Sequence, residues 1–197
     1  MTLTQWALIG AVLLLLFWAV GAYNRLIRLR NAIANAFGQI DVQLKRRHDL
    51  VPNLVAVAKR YLEHEAQTLE AVVAARSRAQ SAEQAVAANP LNPAAVGALA
   101  VAEQALGGAL GRLMALVEAY PELKADENLR QLSEELTSTE NRIGFSRQAY
   151  NDTVLAFNDA AQQFPALIVA RLCGFVPQAM LAATTTEAER APVAVTF

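Results

Sequence analysis

The chain has 197 residues, 54% of them hydrophobic, with 17 basic side chains against 18 acidic ones and a net charge of −1. That length suits one domain with a real core, and the near-neutral balance gives no electrostatic basis for binding nucleic acid. A single cysteine, Cys173, excludes a disulfide framework and a thiolate metal cluster.

The first element is apolar throughout. Trp6 to Tyr23 reads WALIGAVLLLLFWAVGAY, without a charge. Extended back to Leu3, it reaches the roughly 20 residues that cross about 30 Å of hydrocarbon. Trp6, Trp18 and Tyr23 stand near its ends, where interfacial aromatics belong. A cleaved signal peptide is the rival reading, with Val20-Gly21-Ala22 as a small-residue cleavage site. Against it, the leading MTLTQ carries no Lys or Arg and the apolar run is longer than a usual h-region. We expect an uncleaved transmembrane anchor over residues 1–24. Arg25, Arg28 and Arg30 follow the span at once and nothing basic precedes it. The positive-inside rule then expects the N-terminus outside the inner cell membrane and the remaining body in the cytoplasm.

From residue 25 the pattern is helical. Ile33, Phe37, Ile40, Leu44, Val51, Leu54, Ala58 and Tyr61, then Leu69 and Val72, recur at steps of mostly three and four. That is one buried helical seam. Pro52 lacks a backbone donor and crowds the carbonyl of His48, so the helix kinks or stops there. The seam keeps phase across Pro52, as a kink would. Length argues for a turn, because one helix from Arg25 to Ala88 would reach roughly 95 Å and outrun its partners. We expect a joint at Asp49, Pro52 and Asn53. The sequence NPLNP at 89–93 then breaks the chain, with Asn92 as cap and Pro93 as the first residue of a third helix carrying Leu99, Leu106 and Leu113. Tyr120-Pro121 ends it. A last helix spans about Asp126 to Phe164 on a seam from Leu129 to Phe164, and Pro165 closes it. The fold class expected is all-α: an N-terminal transmembrane helix, then an antiparallel four-helix up-and-down bundle over residues 25–165. Residues 166–181 are expected as a short apolar cap, with lying against the bilayer as the alternative. The tail 182–197 reads as disordered.

Candidate chemistry is sparse. HEAQT at His64–Thr68 lacks the second histidine of a metalloprotease HExxH motif. His48 and His64 could meet only if their helices packed antiparallel, with Glu63 or Glu65 joining them. Cys173, among apolar neighbours, reads as a small hydrophobe rather than a nucleophile. Polar residues on the seams are more informative. Arg47 and Glu65 occupy seam positions, and Glu140 and Arg147 flank the seam of the last helix. Two readings stand: a polar cavity that binds a ligand, or an internal ion-pair layer that sets helix register. We expect the layer.

Three stretches resemble the signature blocks of the LemA family. They are YNRLIRLRNAIANAFGQIDVQLKRRHDLVPNLVAVAKRYLEHE, EAYPELKADENLRQL and ENRIGFSRQAYNDTVLAFND, in that order, and the resemblance covers roughly residues 20–178. It implies one membrane span, a cytoplasmic four-helix bundle, a turn or sharp bend at Leu50–Asn53, and matching positions at Arg47, Glu65, Arg76, Glu140 and Arg147. The family has no established enzymatic activity and includes a magnetosome-membrane protein, which points to organising membranes. We therefore expect a membrane-anchored scaffold or adaptor that is not an enzyme, uses no metal or cofactor, and has membrane lipids and a second copy or another membrane protein as partners. No small-molecule substrate is evident. The competing expectation is a small-ligand sensor with its bundle on the outer side of the membrane.

Overall fold

The computed structural model describes residues 2–181, which form helices joined by short connections, with no strand among the described residues. The helices are α1 (Leu3–Ala58), α2 (Ala66–Ala88), α3 (Pro93–Ala119), α4 (Pro121–Lys124), α5 (Glu127–Gln162) and α6 (Ala166–Leu172), with a 3-10 turn at Glu63–Glu65. The tail read as disordered lies outside the described residues.

α1 is two helices in character and one in backbone. Its most apolar 18-residue window is wholly unburied, as expected for a helix whose apolar surface goes all the way round. From Leu26 onward one stripe is buried: Leu26, Ile33, Phe37, Ile40, Leu44, Val51, Leu54 and Ala58.

The turn expected at the joint of Asp49, Pro52 and Asn53 is not there, and the helix does not stop at Pro52. α1 passes through Pro52 and ends at Ala58, and the chain turns at Lys59–Leu62 before the 3-10 turn. A proline in a helix leaves the carbonyl four residues earlier without its donor. Here that carbonyl belongs to His48, and Arg76 of α2 donates to it through Nε at 2.6 Å. The missing bond is replaced from outside the helix, so the helix continues. The length argument was right that the chain must reverse, but it misplaced the reversal by about two turns.

Buried side chains fall into two clusters. One holds Val51, Leu54 and Val57 of α1, Leu69 to Ala79 of α2, Leu106 to Val117 of α3, and Leu129 and Leu136 of α5. The other holds Leu26 to Leu44 of α1, Val86 of α2, Val96 and Leu99 of α3, and Ile143 to Ala161 of α5. Each long helix runs from one cluster to the other, and successive helices run in opposite senses. Local chemistry sets their ends. Asn92 caps α3 by accepting from the amides of Ala94 and Ala95 at 3.0 and 3.3 Å. Asp126 caps α5 by accepting from Asn128 and Leu129 at 2.9 and 3.1 Å.

α2 and α3 are shorter than α5 and the packed part of α1, so they leave the second cluster open beyond Val86 and Val96. The chain after α5 closes it. Ala170 of α6, with Phe175, Ala179 and Leu181, packs onto that cluster. The extended segment is held to α5 by two asparagines seven residues apart. The amide side chain of Asn158 exchanges two hydrogen bonds with the backbone of Gln178 (2.8 and 3.0 Å), and Asn151 does the same with Leu181 (both 2.9 Å). Seven helical residues rise roughly 10 Å, and three extended residues cover about the same distance, which is why the two pairings share one register.

Candidate functional site

A layer of charge lies where the two clusters meet. It falls between Leu44 and Val51 on α1, Ala79 and Val86 on α2, Leu99 and Leu106 on α3, and Leu136 and Ile143 on α5. Arg47 and His48 supply it from α1, Glu83 from α2, Glu103 from α3, and Glu140 from α5.

Glu103 is the centre. Arg47 Nη1 donates to its Oε2 at 2.8 Å, and His48 Nε2 lies 2.9 Å from its Oε1. A carboxylate only accepts, so the His48 proton on that side is on Nε2. Arg47, 4% exposed, reaches past Glu103 to Glu140 Oε1 at 2.5 Å. The guanidinium therefore bridges α3 and α5 from α1, a use of its fork that lysine could not copy. Gly107, one turn along α3 from Glu103, adjoins this fork, and a Cβ there would stand in ordinary contact with Arg47 Nη2, at 3.5 Å.

A second group adjoins it. Glu83 is 1% exposed, with Oε2 at 3.8 Å from His48 Nδ1 and Oε1 at 3.8 Å from Lys45 Nζ. Asp41 takes a closer bond from Lys45, at 2.5 Å. Burial, then the hydrogen-bonded Asp41 carboxyl, pushes the Glu83 carboxyl up to about 7. Burial also acts to raise Asp41, but its bonds to Glu83 and Lys45 outweigh that and hold it below the usual aspartate value. The two acids thus share a proton near neutrality, with Glu83 as its carrier. Asp41 Oδ1 and Glu83 Oε1 are both buried with no hydrogen-bond donor among the described residues. Around the outside, Arg46 pairs with Glu135.

The sequence-predicted residues are distributed unevenly over this layer. Arg47 and Glu140 meet in it. Arg147 borders a cavity of about 40 Å³ that Glu103, Ile40 and Leu44 also line. Arg76 is beside the layer but serves the His48 backbone. Glu65 is not part of it: the residue sits half-buried on the 3-10 turn, with no side-chain partner among the described residues. Its seam position assumed one helical phase through the turn, and the turn breaks that phase. His64 is exposed on the same 3-10 turn, so the two histidines are apart. Cys173, read as a small hydrophobe, is exposed just beyond α6. Asp49, Pro52 and Asn53 lie on the exposed side of α1, and Arg25, Arg28 and Arg30 are exposed where its bare part ends.

His48, Glu83 and Glu103 are the residues that sequence reading missed in this role. Glu83 carried a signal: Val72, Ala75, Ala79, Glu83 and Val86 continue the seam of α2 at steps of three and four. Among the described residues, no group of three or more His, Cys, Asp or Glu side chains is placed to hold a metal ion. What the arrangement can do is fix the relative height of four helices and hold one proton.

The sequence model of the LemA family matches residues 36–197. This chain belongs to the LemA family. The matched LemA region begins after the bare part of α1 and takes in the whole polar layer. Curated relatives include magnetosome protein MamQ of Magnetospirillum gryphiswaldense and the MamQ 1 and MamQ 2 proteins of Paramagnetospirillum magneticum. Each is 35% identical over 78 residues, which is 40% of this chain and 29% of the relative. The LemA chain thus aligns with under a third of each relative's length.

Proposed function

We propose that this LemA-family protein is a single-pass membrane scaffold. In this reading the bare part of α1 spans the inner membrane with its N-terminus outside, and α1 from Leu26, α2, α3 and α5 form an up-and-down four-helix bundle in the cytoplasm. The observation that carries it is the continuity of α1. One unbroken helix supplies both a bare apolar length and the buried stripe of the core, so the bundle would be held rigidly to its anchor. Partial likeness to magnetosome proteins is in keeping with work at a membrane.

Partners in this reading are lipids and either a second copy or another membrane protein. An apolar cleft of about 610 Å³ at the far end of the bundle, between Val55 and Leu62 on one side and Leu69 and Val73 on the other, offers a place for such association. A ligand sensor on the outer side is less well supported. The cavity at the polar layer, about 40 Å³, is far below the roughly 300 Å³ of a typical ligand pocket.

Cys173, exposed and single, tests the topology. With a membrane-impermeant maleimide, labelling only after cells are opened is the expected result. Labelling in intact cells would place the bundle outside and overturn the cytoplasmic scaffold.

A further inference from the structure

The stretch after α5 has two faces, and only one is accounted for by the core. Val169 and Ala170 point inward, at 8% and 1% exposure. On the other side Phe164, Ile168, Leu172 and Val176 are bare, at 81%, 50%, 82% and 60%. Single exposed apolar residues are ordinary, but four large ones within thirteen residues are a patch that calls for a covering.

The position of the patch says what covers it. Phe164, Pro165 and Ala166 border the same cleft of about 320 Å³ as Trp18, Gly21 and Arg25 of α1. At the other end of α6, the Phe175 ring meets Tyr23 edge-on, with centroids 5.7 Å apart. Both ends of α6 therefore stand against the same two turns of α1. Those turns are where the bare apolar run, with Phe17 and Val20 exposed at 78% and 57%, gives way to Arg25, Arg28 and Arg30. The patch thus begins beside the bare run, with Phe164 and Trp18 on one cleft.

We propose that residues 164–176 are an interfacial foot. Phe164, Ile168, Leu172 and Val176 enter the boundary between headgroups and acyl chains of an anionic bilayer, beside the span. Arg25, Arg28, Arg30 and Arg171, all exposed, meet the lipid phosphates. This inference rests on the membrane-spanning reading of α1, and it goes further: a second contact beside the span stops the bundle from tilting freely about a single helix. The asparagine pairings to α5 and the Tyr23–Phe175 contact hold the foot at its height.

The test uses the full chain reconstituted in phosphatidylcholine–phosphatidylglycerol vesicles, with and without lipid carrying a nitroxide near the top of the acyl chain. Trp6 and Trp18 are the only tryptophans and report the span. A fluorophore on Cys173 reports the foot. In a Cys173→Ser/Tyr120→Cys variant the same fluorophore reports the far end of the bundle. The expected result is quenching of the tryptophans and, by about twofold or more, of the Cys173 probe, with the Tyr120→Cys probe unaffected. Phe164→Glu/Leu172→Glu should abolish quenching at Cys173 and leave the tryptophans quenched. A Cys173 probe no more quenched than the Tyr120→Cys probe overturns the foot, and quenched tryptophans in the same sample would leave the span standing. Quenching at Cys173 without quenching of the tryptophans would sink the span and, with it, a foot that stands beside one.

Discussion

Arg76 and Pro52 are predicted to be energetically coupled although their side chains need not touch. Arg76→Met removes the donor at 2.6 Å from the His48 carbonyl and leaves that carbonyl without a bond, because Pro52 has no N–H to offer. An unsatisfied buried backbone acceptor costs about 1–3 kcal/mol, and a bond from a charged donor is worth a similar amount. We expect a loss of about 2 kcal/mol. Pro52→Ala supplies an N–H aimed at the same carbonyl and lifts part of the roughly 3 kcal/mol that an interior proline costs a helix, so it should be neutral or stabilising. In the Pro52→Ala background, Arg76→Met should then cost under about 1 kcal/mol, a coupling of about 1–2 kcal/mol. Urea unfolding of the four full-length proteins in mild detergent, followed by circular dichroism, closes the cycle. If Arg76→Met costs the same in both backgrounds, within about 0.5 kcal/mol, the replacement of the missing bond is not what carries α1 through Pro52.

Two further predictions concern the polar layer. Glu103→Gln should destabilise by about 3 kcal/mol, since it strips the partner from Arg47 and His48 in a site that is 12% exposed. Glu140→Gln, at a side chain 43% exposed, should cost about 1 kcal/mol or less; melting curves showing the reverse order would mean Glu103 is not the centre. For Glu83 the folded carboxyl holds its proton to about pH 7 while the unfolded one releases it near the ordinary glutamate value of 4.5. Between those values the folded state binds more protons, so wild-type stability should fall as pH rises. Glu83→Gln should flatten that slope and be the more stable protein at pH 8, by about 1 kcal/mol or more; an unchanged slope from denaturation at a series of pH values would refute the shared proton.

Features set by neighbours along the chain were legible. The uncharged run from Leu3, the Asn92-Pro93 start of α3 and the long seam of α5 each follow from local pattern. The place of the first turn did not, because it depends on Arg76, 28 residues from the carbonyl it serves. That one misplacement spread: counting the seam through Ala58 to Glu65 gave Glu65 a buried position that the 3-10 turn takes away. Glu83 was within reach of the same counting had it been carried past Val72. Glu103 was within reach too, since it falls four residues after Leu99 and three before Leu106 on the stripe that continues through Leu110, Leu113 and Val117. The pairing of Asn151 and Asn158 with an extended segment has no periodic trace at all, since the partner atoms are backbone.

The unbroken run of α1 also has a rotational meaning. A helix turns about 100° per residue, so the direction in which the buried stripe faces, relative to the bare part of α1, is set by how many residues separate Tyr23, which meets Phe175, from Leu26, the first residue of that stripe. One residue added there would swing the core away from α6, whereas seven would bring it back to within about 20°. The short stretch between the bare and the buried parts of α1 is therefore a dial with few usable settings, and its length is as much a part of the design as any side chain in the core.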